Sequence, residues 1–229
     1  MMAPEPTRKL IRDYSVAIIA AVAVALFIRF FIIEAYRIPS IAMKPTLEPG
    51  DVIFVAKWPF GLRAPGAAER FTSGRLPHYG EVVVFSLPND PGRDYIKRVI
   101  ALPGDTVEVH DGRFTLNGQI RTLPADRNAI CGKETTPLDG KHTYGVCWEP
   151  PVMENFGPEK VPADHVFVLG DLRSQATDIR KAKSWGMIPL NSVKAVAMWI
   201  WLSIEPPGQG AQGSWFSRIR FERMMRGIE

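Results

Sequence analysis

Between Val16 and Ile33 the chain reads VAIIAAVAVALFIRFFII, with Arg29 as its one charged residue. As a helix, these 18 residues would extend about 27 Å, close to the thickness of a bilayer's hydrocarbon core. Apolar side chains cover every face of that helix rather than one stripe, which sets the run apart from the core helix of a soluble domain. The next residues, EAYRIPS, lack the small-residue pattern of a signal-peptide cleavage site, so the run is expected to stay as an anchor. Arg29 falls in the last third, where its head can snorkel to the interface or pair with Glu34. Basic residues flank both ends: Arg8, Lys9 and Arg12 before it, Arg37 and Lys44 after. The excess on the N-terminal side favours a cytoplasmic N-terminus.

Past the anchor the pattern becomes that of short strands. DVIFVAK (51–57), EVVVFSL (81–87), DYIKRVIAL (94–102), DTVEVH (105–110), DHVFVLG (164–170) and VKAVAMWIWLSI (193–204) are rich in β-branched and aromatic residues, and Gly/Pro turns separate them. None is followed by a convincing amphipathic helix, which argues against parallel βαβ units. The expected fold is mainly β: an antiparallel body with a smaller inserted β/loop lobe, preceded by one transmembrane helix. The net charge of +4 comes without zinc-ligand spacing or a clustered basic stripe, so no nucleic-acid partner is expected. A basic surface facing anionic membrane lipid fits it. The four histidines lie far apart and form no HExxH pattern, and no metal is expected. Cys131 and Cys147 sit in a Pro/Gly-rich region without CxxC spacing. A disulfide in an oxidising compartment or two separate buried thiols would both fit.

Near the C-terminus, Phe221, Met224, Met225 and Ile228 recur at helical spacing with arginines between them. An amphipathic interfacial helix, a solvated tail and a partner contact are all compatible with that pattern.

A lysine inside an apolar strand stands out in DYIKRVIALPGD. Strand alternation puts Tyr95, Lys97 and Val99 on one face and Ile96, Arg98 and Ile100 on the other. An edge-strand surface lysine would look the same. Its context differs, because IPSIAMKPTLEPGD, GEVVVF, DYIKRVIALPGD and GDLRSQATDIR follow one another after a single apolar span. Together they resemble the bacterial type I signal peptidases (leader peptidases), membrane endopeptidases of the Ser/Lys type, over about residues 12 to 205.

The resemblance implies a set of roles. The family's first block is P-S-x-S-M-x-P-T-L, whose second serine is the nucleophile; here that position is Ala42. Lys97 takes the place of the general base, and Ser40, with the N–H of residue 42, that of the oxyanion hole. A lysine serves as base only when neutral, and burial against Met43, Tyr95 and Val99 would favour that form. Ser40 cannot replace the missing hydroxyl, since two residues of extended chain span about 7 Å. Ala176 occupies the position of a serine that orients the lysine. Arg98, Asp171, Asp178 and Arg180 read as ion pairs supporting the site. Tyr36, Ile38, Met43, Leu47, Tyr95 and Ile96 would line apolar substrate pockets for Ala-x-Ala sequences. No cofactor is implied.

On this resemblance the chain divides into a cytoplasmic N-terminus (1–13), an anchor (14–34), a catalytic core (35–110 and 164–205), an inserted lobe carrying the cysteines (111–163) and a linker with a basic tail (206–229). The expected setting is a monomer in the bacterial inner membrane, single-pass, with its body outside the cytoplasm. Its expected partners are preprotein signal peptides and membrane lipid. Function is expected to be signal-peptide removal by Ser/Lys acyl transfer, inactivated here by Ser→Ala at 42. The alternatives are a natural non-catalytic signal-peptide-binding relative and a pilin- or conjugation-type processing peptidase of the same class.

Overall fold

The structure, a computed structural model, describes residues 5–64, 67, 69–110, 113–121, 131–136, 143–149, 155–173, 186–207 and 215–228. Helix α1 (Glu5–Phe27) runs into a single π-helical turn, Ile28–Ile32. Lys9–Ile32 is long and apolar enough to cross a membrane, and its apolar stretch is not buried by the rest of the chain. A core helix would have found a protein partner for those side chains. Glu34 pairs with Lys57 at 2.8 Å rather than with Arg29. The same ammonium lies 3.4 Å from the carbonyls of Arg29 and Phe30 at the helix end, where unsatisfied C=O groups favour a cation.

Among the described residues fifteen strands follow in chain order. They are β1 (Ile33–Arg37), β2 (Asp51–Ala56), β3 (Val82–Leu87), β4 (Asp90–Ala101), β5 (Thr106–His110), β6 (Arg113–Leu116), β7 (Gln119–Ile120) and β8 (Cys131–Thr135). Then come β9 (Thr143–Trp148), β10 (Phe156–Lys160), β11 (His165–Leu169), β12 (Leu172–Arg173), β13 (Met187–Pro189), β14 (Val193–Ser203) and β15 (Arg226–Gly227). The main sheet has eight strands in the order β1-β2-β14-β3-β4-β11-β13, with β15 beside β14. All its pairings are antiparallel, as expected for strands joined by turns rather than crossover helices.

The described residues form two smaller sheets besides: β10-β5-β6-β7 and β12-β9-β8. Strand β5, placed with the core body in the sequence, pairs with β6 and β10 and packs against Ile100, Ala101, Phe167 and Leu169 of the main sheet. The β5–β6 hairpin explains this, because alternating Val107, Val109, Phe114 and Leu116 bury one shared face. A disulfide joins Cys131 of β8 to Cys147 of β9, directly opposite each other in the ladder. A parallel pairing of β12 with β9 ties this disulfide sheet to the segment after β11.

The C-terminal segment is not the amphipathic helix its spacing permitted. It forms two 3-10 turns, Trp215–Arg218 and Phe221–Arg223, then adds β15 to β14. Met225 adopts a positive φ of 59°, which a continuous helix excludes. Arg223, placed by helical spacing on the polar side, is instead buried against Asp51. Ion pairing to the core outweighs the local helical pattern here.

Candidate active site

Strand β1 passes into a turn that returns as β2. The turn is closed at its base by Ile38 N–H to Asp51 O (2.8 Å) and Gly50 N–H to Ile38 O (2.9 Å). Inside it, Lys44 N–H donates to Ile41 O and Leu47 N–H to Met43 O, and the Lys44–Pro45 peptide is cis. Gly50 has φ +92°, and a Cβ there would lie 1.9 Å from Ile204 O, so no other residue fits. Ile38, Met43 and Leu47 turn inward to a cluster with Ile53, Val82 and Val84, while Ser40 stays exposed. Residue 42 is thereby held at a fixed height on the rim of the core.

Lys97 reaches the same place from β4, and the side chain is buried, 3% exposed. The residue that brings the two together is Gly170, immediately after β11. A Cβ built there would stand 2.4 Å from Ala42 O and 3.0 Å from Lys97 Nζ. Leu172 N–H donates to Ala42 O at 3.2 Å, fixing the carbonyl on the side away from solvent. Among the described residues no hydrogen bond takes up the Ala42 N–H or the Ser40 hydroxyl.

Beneath this junction lies a buried ion pair. Arg98 donates to Asp171 through Nε (2.8 Å) and Nη2 (2.7 Å), both residues being fully buried. Thr46 Oγ1 donates to Asp171 Oδ2 at 2.5 Å and receives Arg98 Nη2 at 3.0 Å, which ties the turn to the pair. Arg98 Nη1 donates to Gly80 O, and its guanidinium lies 4.2 Å from the centre of the Tyr144 ring. Burial alone would weaken the guanidinium's hold on its proton, but Asp171 more than offsets this and the pKa rises. A second buried pair extends the network: Arg173 to Glu134 at 2.5 Å, with Tyr144 OH donating to the same carboxylate at 2.9 Å. Burial and then Glu134 push the Tyr144 phenol well above its usual pKa, so it stays a neutral donor.

A family model described as "Signal peptidase, peptidase S26" matches residues 11–202. Signal peptidase I of Pseudomonas fluorescens is 33% identical over 215 residues, covering 86% of this chain and 75% of that one. Its counterpart in Pseudomonas aeruginosa is 31% identical with the same coverage. The probable signal peptidase I-2 of a Synechocystis strain is 36% identical over 177 residues, covering 75% of this chain and 64% of that one. The chain belongs to the peptidase S26 signal peptidase family.

Of the residues singled out from the sequence of this family member, Ala42, Lys97, Arg98 and Asp171 gather around Gly170. Tyr36, Ile38, Met43, Leu47 and Ile96 share one apolar cluster beside them. Tyr95 does not join it: its ring stacks on Phe85, its hydroxyl donates to Asp90, and it packs on the other face of β4. Tyr36 carries a polar tip, donating to Asp94 at 2.9 Å and lying 3.3 Å from Glu34, with the phenol pKa driven up by burial and then by those carboxylates. Ala176, Asp178 and Arg180 lie outside the described residues. Sequence reasoning missed Thr46, Glu134, Tyr144 and the pair Arg220 and Arg223. For the last two no local signal existed, since their partners Glu48 and Asp51 lie some 170 residues earlier.

Proposed function

We propose that this chain engages the signal peptides of exported preproteins at a membrane surface, and that its site is built for serine endopeptidase chemistry by a Ser/Lys dyad. The observation that carries this reading is the convergence of Lys97 Nζ and the residue-42 backbone on Gly170, in a chain of the signal peptidase family. With serine at 42, the hydroxyl would attack the scissile carbonyl while a neutral Lys97 takes its proton and passes it to the leaving amine. Ser40 and the N–H of residue 42 would hold the oxyanion. Water would then hydrolyse the acyl-enzyme by the same proton path. Alanine at 42 has no oxygen to attack with, so this chain would bind and release its substrate uncut.

The apolar cluster of Tyr36, Ile38, Met43, Leu47 and Ile96 would accept the small side chains of Ala-x-Ala, with the peptide adding as a strand. The anchor Lys9–Ile32 would keep the groove beside the membrane. The Cys131–Cys147 disulfide suits a body on the oxidising side of a bacterial inner membrane. In the natural non-catalytic reading the same groove would hold signal peptides as its end function.

The test is Ala42→Ser, assayed with a preprotein bearing an Ala-x-Ala site. Cleavage that appears with serine and disappears on adding Lys97→Ala supports the dyad. A revertant that binds signal peptides without cutting them would support the binding reading instead, and one that does neither would overturn both.

A further inference from the structure

The C-terminal segment 215–228 returns to the underside of the turn that carries residue 42. Its main chain is laid along β14: Arg220 N–H donates to Ser203 O, Met225 N–H to Ile200 O and Ile228 N–H to Met198 O. Two side chains then leave that strand edge for the turn. Arg223 donates to Asp51 through Nη2 (2.6 Å) and Nε (3.2 Å), and its Nη2 also reaches Thr46 O at 3.2 Å. Arg220 donates to Glu48 Oε2 (2.7 Å), Pro49 O (2.9 Å), Asp51 Oδ1 (3.2 Å) and Ser203 Oγ (2.8 Å). Asp51 is fully buried and also receives Ser203 Oγ and Glu48 N–H.

We propose that this segment is a clamp on the catalytic turn, with Arg220 and Arg223 as positioning residues that set residue 42 against Lys97. The route is short and continuous. Arg223 holds the carbonyl of Thr46, whose hydroxyl joins Asp171 and Arg98; at the next residue back, Gly170, a Cβ would collide with both Ala42 O and Lys97 Nζ, so the two groups border the same small space. Four anchor points from two guanidinium forks, on Thr46, Glu48, Pro49 and Asp51, hold the returning half of the turn, while Thr46 Oγ1 and Leu172 N–H hold its other side. Arg suits this task better than Lys, because its planar fork serves two acceptors in a fixed geometry. Neither arginine approaches the place where substrate would react, so both act through the turn.

The role rests on the proposed site, but its first test does not need cleavage. In the chain as it stands, Arg223→Gln should speed hydrogen exchange at the amides of Leu47 and Gly50 by about tenfold. The amides of Val99 and Val168, in the main sheet, should be unchanged. Arg226→Gln, at an exposed position of β15, should alter neither. The second test uses Ala42→Ser. There Arg223→Gln should lower kcat by about 10- to 100-fold, with KM little changed, as expected for a displaced reacting group, and Arg223→Lys should recover part of the loss. Unchanged exchange at Leu47 and Gly50 would overturn the clamp. So would faster exchange spread evenly over the sheet, or a loss of cleavage matched by the loss of folded protein. If Ala42→Ser cuts nothing, the proposed activity fails while the exchange result still decides the clamp.

Discussion

Gly170 leaves open the space beside the Lys97 amine: a methyl group at 170 would stand 3.0 Å from Nζ and 2.4 Å from the carbonyl oxygen of Ala42. The lysine end could swing aside, but the backbone carbonyl could not without moving the turn. Gly170→Ala should therefore cost about 1–3 kcal/mol of stability, the usual range for overpacking. In the Ala42→Ser background it should also lower kcat/KM by about 100-fold. Urea unfolding and preprotein cleavage measure the two effects, and an unchanged rate would show that the junction has slack.

The Arg98–Asp171 pair lies beneath that junction with no access to solvent. Removing one partner leaves a buried charge unpaired, so Asp171→Ala should destabilise the fold by about 3–5 kcal/mol. The double replacement Arg98→Met, Asp171→Leu should be less damaging than the sum of its parts. Denaturant midpoints of the four variants in that cycle give the coupling directly.

Ser40 is exposed and makes no hydrogen bond within the described residues, so its loss should not touch stability. In the Ala42→Ser background, Ser40→Ala should lower kcat by about 100- to 1,000-fold with little change in KM, the signature of a lost oxyanion donor. A fall in KM-dependent binding alone would assign Ser40 to substrate contact instead.

Acid should weaken the hold of the C-terminal segment. Burial on its own would raise the Asp51 pKa, but hydrogen bonds from Arg223, Ser203 and the Glu48 N–H reverse that and keep it below the ordinary value of 3.8. A depressed folded pKa means that the stabilisation is complete above the unfolded value and is lost as pH falls through the folded one. Thermal or urea unfolding should therefore show stability dropping below about pH 4. Asp51→Asn should start lower at neutral pH and fall less steeply over that acid range. Arg220, Arg223 and Glu48 are the other charged groups facing the carboxylate, and Glu48, one-third exposed, adds little.

Much of the architecture was legible because it follows from local pattern. The apolar run pointed to a long exposed helix, and β-branched blocks between Gly/Pro turns gave β2, β3, β5, β11 and β14 at nearly their observed limits, whereas β4 begins earlier, at Asp90, and short strands such as β1, β7 and β12 had no such pattern. Lys97 and Ala42 were legible through short motifs whose order mattered. What escaped was non-local. Strand β5 reads like its neighbour β4 in composition, which does not tell that it pairs with β6 and β10 rather than joining the main sheet. The tail left a helix, a solvated segment and a partner contact all open, because Phe221, Met224, Met225 and Ile228 have helical spacing while the acids that its arginines bind, Glu48 and Asp51, lie some 170 residues earlier. Tyr95 was grouped with the pocket residues although strand alternation already placed it opposite Ile96.

The passage from anchor to sheet has a mechanical consequence. Ile32 ends the helical turn and Ile33 begins β1 with no residue between them, and Lys57 staples the last helical carbonyls to Glu34 and β2. With no swivel at that joint, tilt or rotation of the span is handed directly to the edge strand. On the proposed function, its depth in the lipid would set how far from the bilayer a peptide must emerge before it meets residue 42. Lengthening the span by one helical turn should shift which bond along a tethered peptide is presented, leaving the pocket itself untouched.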